Sequence, residues 1–248
     1  MKTNLQNLWL AVAGTLLCMP VIAGEVRVAV AGNFYLPAQA LVAEYERQSG
    51  ERVVLINGST GKLYAQIQQG APFDILLAAD TERPRLLEEA GQVVKGSRFT
   101  YALGQLVLWS SDAELGLADG VVLKDGSFTR LAIANPKLAP YGRAAEQTLS
   151  NLGLWEAVAP KLVRGESVTQ AWQFAASGNA QLGLIALSQA QGSGSFWLIP
   201  AELYEPVEQQ AVLLTDADES QRFYRFLRSV EAAAIIRSYG YRVLQSGE

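Results

Sequence analysis

Short apolar runs alternate along this chain with stretches whose apolar positions recur at helical spacing. Residues 26–31 read as a strand, broken by Gly32-Asn33, and Pro37 suits the first turn of a helix. Leu41, Val42 and Tyr45 share one face of that helix, and Gly50 closes it. Residues 53–56 form the next strand. Gly58-Ser59-Thr60-Gly61 turns it into a helix with Leu63 and Ile67 stacked four apart, ended by Gly70. Residues 73–79 are apolar apart from Asp74, the signature of a strand covered on both faces. The pattern then repeats. Residues 101–110 read as one long strand and 131–134 as a short one. Pro140-Tyr141-Gly142 starts a helix carrying Ala145, Leu149 and Leu152, and Gly165-Glu166-Ser167-Val168 starts another carrying Trp172 and Ala175. Residues 182–187 and 208–214 are further strands, and 218–239 reads as a helical tail with Phe223, Leu227 and Val230 on one face. Strands and helices alternating in this order predict an α/β fold. Two sets of βα units predict two lobes, with the chain crossing near residues 101–106 and returning near 208–212.

The first 24 residues stand apart. Lys2, an apolar run from Leu8 to Leu17 and the small-residue segment Val21-Ile22-Ala23 read as a cleavable signal peptide, and the run is too short to span a membrane. The only cysteine, Cys18, lies there. Leu17 before it is not the small residue that a lipoprotein anchor wants. The rest of the chain has neither cysteine nor histidine, which excludes disulfides, thiol nucleophiles, Ser-His-Asp catalysis and Cys/His metal sites. No acidic cluster has calcium-loop spacing. Removing Lys2 shifts the formal charge from −4 to −5, which argues against nucleic acid and anionic membranes. An anion would have to be held by local dipoles, because the chain offers no overall positive field.

Local dipoles are what the turns provide. Gly32-Asn33-Phe34, Gly58-Ser59-Thr60-Gly61 and the segment 135–142 each follow a strand and lead into a helix, an arrangement that aims free backbone N–H groups at an anion. Each residue also has a structural reading. Ser59 or Thr60 can cap a helix, and Asn33 can cap or form an Asx turn. Their hydroxyls and amide can equally donate to an oxyanion. Tyr141 can offer its backbone N–H, its ring as a lid, or packing, whereas Val168 has only its N–H to give. Gly58 to Lys62 lacks the P-loop spacing. Lys62 and Arg143 read as solvated surface residues, and Asp80 and Glu166 as caps or hydrogen-bond partners. Nothing in the spacing of Asp74, Asp80 and Glu166 makes a glycosidase-like acid/base pair.

Together the segments are far more specific. Val-Ala-Gly-Asn-Phe (30–34), Gly-Ser-Thr-Gly-Lys-Leu-Tyr-Ala-Gln-Ile (58–67), Gly-Ala-Pro-Phe-Asp-Ile-Leu-Leu-Ala-Ala-Asp (70–80), Ala-Asn-Pro-Lys-Leu-Ala-Pro-Tyr-Gly (134–142), Gly-Glu-Ser-Val (165–168) and Ala-Ile-Ile-Arg-Ser-Tyr-Gly-Tyr (234–241) occur in this order. The chain resembles the periplasmic molybdate-binding proteins, the solute receptors of molybdate ABC importers, over all but its first residues.

The resemblance implies a two-lobed type II periplasmic binding protein. Each lobe is a mainly parallel sheet flanked by helices, with a hinge of two crossing strands. Residues 25–104 plus 209–248 would form lobe I and 105–208 lobe II, after the signal peptide at 1–24. It implies molybdate or tungstate held between the lobes by Asn33, Ser59, Thr60, the Tyr141 N–H and the Val168 N–H. Molybdenum would be present only as the oxyanion, with no protein ligand to the metal and no cofactor. It further implies a monomer in the periplasm that delivers to an inner-membrane permease. Two departures touch the site. Many members have serine where this chain has Asn33, and many offer a tyrosine hydroxyl where it has Ala186, which points to an Asn-Phe subgroup. Gly32 is bare where that subgroup can present a hydroxyl, so one donor is lost or replaced. Sulfate or another tetrahedral oxyanion is the alternative ligand, and a secreted hydrolase is a distant third.

Overall fold

The computed structural model describes residues 25–243, so the signal-peptide reading of 1–24 lies outside the described residues. The chain builds two five-stranded sheets. β1 (Val26–Ala31), β2 (Val53–Gly58), β3 (Ile75–Ala78), β4 (Phe99–Gly104) and β10 (Val207–Leu213) form the first, in the order β2-β1-β3-β10-β4. β5 (Leu106–Ser110), β6 (Leu131–Ala134), β7 (Leu162–Gly165), β8 (Leu182–Ala186) and β9 (Ser195–Leu198) form the second, in the order β7-β6-β8-β5-β9. In each sheet three strands pair in parallel and the fourth runs against both its neighbours: β10 against β3 and β4, β5 against β8 and β9. The sheets are therefore mixed, with one reversed strand each and the same strand order.

Helices cover the faces. They are α1 (Tyr35–Ser49), α2 (Thr60–Gln68), α3 (Glu82–Glu89), α4 (Val121–Asp125), α5 (Pro140–Asn151), α6 (Trp155–Val158), α7 (Val168–Ala176), α8 (Leu187–Ala190), α9 (Asp218–Phe226) and α10 (Val230–Ser238). The first sheet has a core on each face. One gathers Val28, Val30, Phe34, Leu41, Phe223 and Ile236 beneath α1, α9 and α10, and the other gathers Ala29, Leu63, Leu76, Leu87 and Val212 beneath α2 and α3. The second sheet is wrapped by one continuous core that includes Trp109, Ile133, Leu149, Leu184 and Ala171. Burying strands on both faces is what removes the alternation and leaves runs such as Ile75–Ala78, every residue of which is buried.

Two expectations change. The run 101–110 is two strands, because Gln105 separates β4 in the first sheet from β5 in the second. Periodicity cannot report which sheet a strand joins. The tail is two helices, because Ser229 interrupts it and caps the second by accepting from the Ala232 N–H at 3.0 Å.

Candidate functional site

The helix starts singled out in the sequence converge between the two sheets. From the first come a short 3₁₀ turn at Gly32–Phe34 and the start of α2, and from the second the starts of α5 and α7. The backbones touch across the gap. The Gly61 N–H donates to the Leu138 carbonyl at 3.0 Å, and a Cβ on Gly61 would lie 2.9 Å from that same oxygen. Only glycine allows this approach, which brings the first turn of α2 against the segment leading into α5.

Ser59 is the N-cap of α2 and is buried, with its Oγ accepting from the Lys62 N–H at 3.4 Å. A capping hydroxyl that accepts still has its own proton to give. With Lys62, Glu166, Ser167 and Thr169 it lines a cavity of about 270 Å³ that opens between the two halves. Thr60, the next residue, is fully buried and turned the other way, and its Oγ1 accepts from the Ala79 N–H at 3.0 Å, tying α2 to the end of β3. Of the two hydroxyls, Ser59 therefore lines the opening.

Asn33 departs further from expectation. Its amide does not face outward: Nδ2 donates to Gln209 Oε1 at 2.7 Å and to the Tyr241 hydroxyl at 2.9 Å. Both amide protons are thus committed. What remains is its backbone N–H, which in the first turn has no intrahelical acceptor. The Asn33 carbonyl accepts from Ser188 Oγ and from the Tyr241 hydroxyl, each at 2.8 Å. Gln209, Tyr241 and Ser188 are buried partners that the sequence reading did not assign to the site. No local signal marked Gln209: it is fully buried, but it sits between Glu208 and Gln210 in the strand Val-Glu-Gln-Gln-Ala-Val-Leu, where three polar residues in a row do not show which one turns inward.

Tyr141 and Val168 stand in the first turns of α5 and α7, where backbone N–H groups lack intrahelical acceptors. Ser167 caps α7, accepting from the Gln170 N–H at 3.3 Å. The Tyr141 ring is no lid. It is buried, and its hydroxyl reaches the β4 end, where a Cβ on Gly104 would lie 2.1 Å from it. That hydroxyl faces Tyr241 without closing a well-formed hydrogen bond. Burial pushes both phenols up, that of Tyr241 to about 12. Ala186 ends β8, fully buried, and presents no polar group.

Charge sits at the rim. Lys62 pairs with Glu166 at 3.5 Å, and Arg143 reaches Glu82 at 2.9 Å and Asp80 at 3.5 Å. Lys62 and Arg143 are thus bridges between the two halves and not simply solvated. The hydrogen bond from Arg143 holds the Glu82 carboxyl below its usual range. Asp80 accepts from the Arg83 N–H at 3.0 Å and pairs with its guanidinium at 2.7 Å. Asp74 accepts from the Arg27 N–H and from Thr215. These carboxylates are engaged in structure.

A family model described as "Bacterial extracellular solute-binding protein" matches residues 26–242. The molybdate-binding protein ModA of Azotobacter vinelandii is 47% identical, over 97% of this chain and 99% of its own. ModA of Rhodobacter capsulatus is also 47% identical, over 91% of each chain. Among solved structures, the periplasmic molybdate-binding protein of A. vinelandii superposes with a TM-score of 0.86 at 40% identity, over 89% of this chain and all of that one.

Proposed function

The chain belongs to the bacterial extracellular solute-binding proteins, alongside the molybdate-binding members that it matches, and we propose how it holds its ligand. It is the molybdate-binding component of an ABC import system, a periplasmic transport protein and not an enzyme. Among the described residues lobe I comprises 25–104 plus 207–243 and lobe II 105–206, the return coming two residues earlier than the expected 209 because β10 begins at Val207, and the anion lies between them. Asn33, Tyr141 and Val168 donate backbone N–H groups and Ser59 donates its hydroxyl, while Thr60 holds the α2 turn in place. Tungstate, nearly the same size, binds as well. The protein reaches the periplasm by its cleavable signal peptide, acts as a monomer and hands the anion to an inner-membrane permease.

The observation that carries this reading is the convergence of four helix starts whose donors are all uncharged. A helix start contributes a partial positive charge of about half an elementary charge. Bonds to a charged acceptor are stronger than neutral ones, so several in a closed cleft offset the desolvation of a dianion. A site made of donors favours a fully deprotonated oxyanion. A protonated phosphate would bring one proton with no acceptor, at a cost of about 1–3 kcal/mol. Sulfate carries the right charge but is smaller, so its bonds would be long. Closure of the lobes over the anion is then the signal that a permease reads. Calorimetric titration with molybdate, tungstate, sulfate and phosphate tests this. One-to-one binding of the first two with the others silent is the expected result. Heat with sulfate alone would move the function to that ligand.

A further inference from the structure

The space beside Gly32 is occupied from the opposite lobe. A Cβ on Gly32 would lie 2.5 Å from Thr169 Oγ1, 3.5 Å from Thr169 Cβ and 3.4 Å from Asn57 Oδ1. Any side chain at position 32 would need the volume that the Thr169 hydroxyl holds. Thr169 is the second residue of α7, directly after Val168, and lines the same opening as Ser59. We infer that Thr169 is a further oxyanion-binding residue, whose hydroxyl is delivered by lobe II into the place left empty by the missing side chain of Gly32. This rests on the reading of the cleft as an oxyanion site.

The hydrogen bonding of Thr169 fits a donor. Its Oγ1 accepts from Gln189 Nε2 at 3.3 Å. A hydroxyl that accepts from an amide still has one proton to give, and no protein acceptor takes that proton among the described residues. Gln189 lies on α8, in the same lobe as Thr169, so this bond orients the hydroxyl without joining the lobes. The donor therefore travels with lobe II and reaches the Gly32 turn only when the lobes close. A hydroxyl carried on residue 32 itself would meet the anion in the open form too. Placing it on Thr169 makes that contact depend on closure.

The test is calorimetric titration of molybdate into the wild-type protein and four variants. Thr169→Val keeps the shape and removes the hydroxyl, and it should weaken binding roughly tenfold to a hundredfold, the range for one bond to a charged acceptor. Thr169→Ser should stay within about threefold of wild type if the hydroxyl is what matters. Gly32→Ser combined with Thr169→Ala returns a hydroxyl from lobe I and should bind more tightly than Thr169→Ala alone. Wild-type affinity in Thr169→Val would overturn the inference and leave Thr169 as packing. If Thr169→Val does not fold, as read by its thermal melt without ligand, a double variant no tighter than Thr169→Ala overturns it instead. No binding of molybdate by the wild type would defeat the underlying reading of the cleft, a distinct outcome.

Discussion

The two edges of the cleft are held by opposite chemistry. At the hinge edge, Asn33, Gln209, Tyr241 and Ser188 form a buried, uncharged network in which Asn33 spends both amide protons and its carbonyl. At the outer rim, Lys62–Glu166 and Arg143–Glu82 are ion pairs between partly exposed side chains. Ser188 joins this network from lobe II, donating to the Asn33 carbonyl at 2.8 Å and lying 3.1 Å from the Tyr241 hydroxyl, and a buried hydrogen bond that loses its partner leaves an unsatisfied group, so the hinge edge resists separation. An exposed ion pair exchanges readily for water and is screened by salt, so the rim can open and shut at little cost. A receptor that must release its ligand needs one permanent seam and one reversible one, and the two chemistries are assigned accordingly.

The hinge edge should be the more fragile to substitution. Gly104→Val would drive a branched side chain into the Tyr141 hydroxyl, which already lies 2.1 Å from where a Cβ would be. Overpacking of this kind should cost about 3 kcal/mol, read as a lowered midpoint in urea unfolding. Asn33→Ala strips Gln209 Oε1 of its donor and should cost about 1–3 kcal/mol in the same assay. Unchanged stability in that variant would show that the amide of Asn33 does not hold the lobe I side of the seam in place. High pH sharpens the contrast. Below pH 10 Tyr241 is neutral in both the folded and the unfolded chain, and its burial contributes in full. Above pH 10 the unfolded chain gives up a proton that the native state keeps until about 12, so stability falls with rising pH through that window. The slope should be about 1.4 kcal/mol per pH unit for each such tyrosine, and Tyr241→Phe should remove one of them. The rim should respond least. Lys62→Ala should change molybdate affinity by less than about 1 kcal/mol, and the difference from wild type should vanish in high salt. A large, salt-independent loss would mean that Lys62 touches the anion.

The turns were legible because their signals are local. Gly58-Ser59 and Gly165 to Val168 mark helix starts in any context, and Ser59 and Ser167 do cap. The direction of a side chain at such a turn is not local. Ser59 and Thr60 are adjacent hydroxyls, yet one lines the opening and the other bonds Ala79, a difference set by where β3 ends. Asn33 likewise has partners 176 and 208 residues away, so no window around it could show that its amide is already used. Thr169 was missed for the same reason. Its importance rests on an absent side chain at Gly32 in the other lobe.

The reversed strand of the first sheet has a consequence for how this protein comes to be. β10 sits between β3 and β4, pairing Leu213 with Ile75 and Ala211 with Phe99. All the strands of the second sheet lie between Leu106 and Leu198 and can assemble as one continuous stretch. The first sheet cannot, because its inner strand is among the last parts of the chain to be synthesised. Pairings this distant in sequence are slow to form. A nascent chain therefore carries lobe I as an unfinished sheet until nearly all of it has been made.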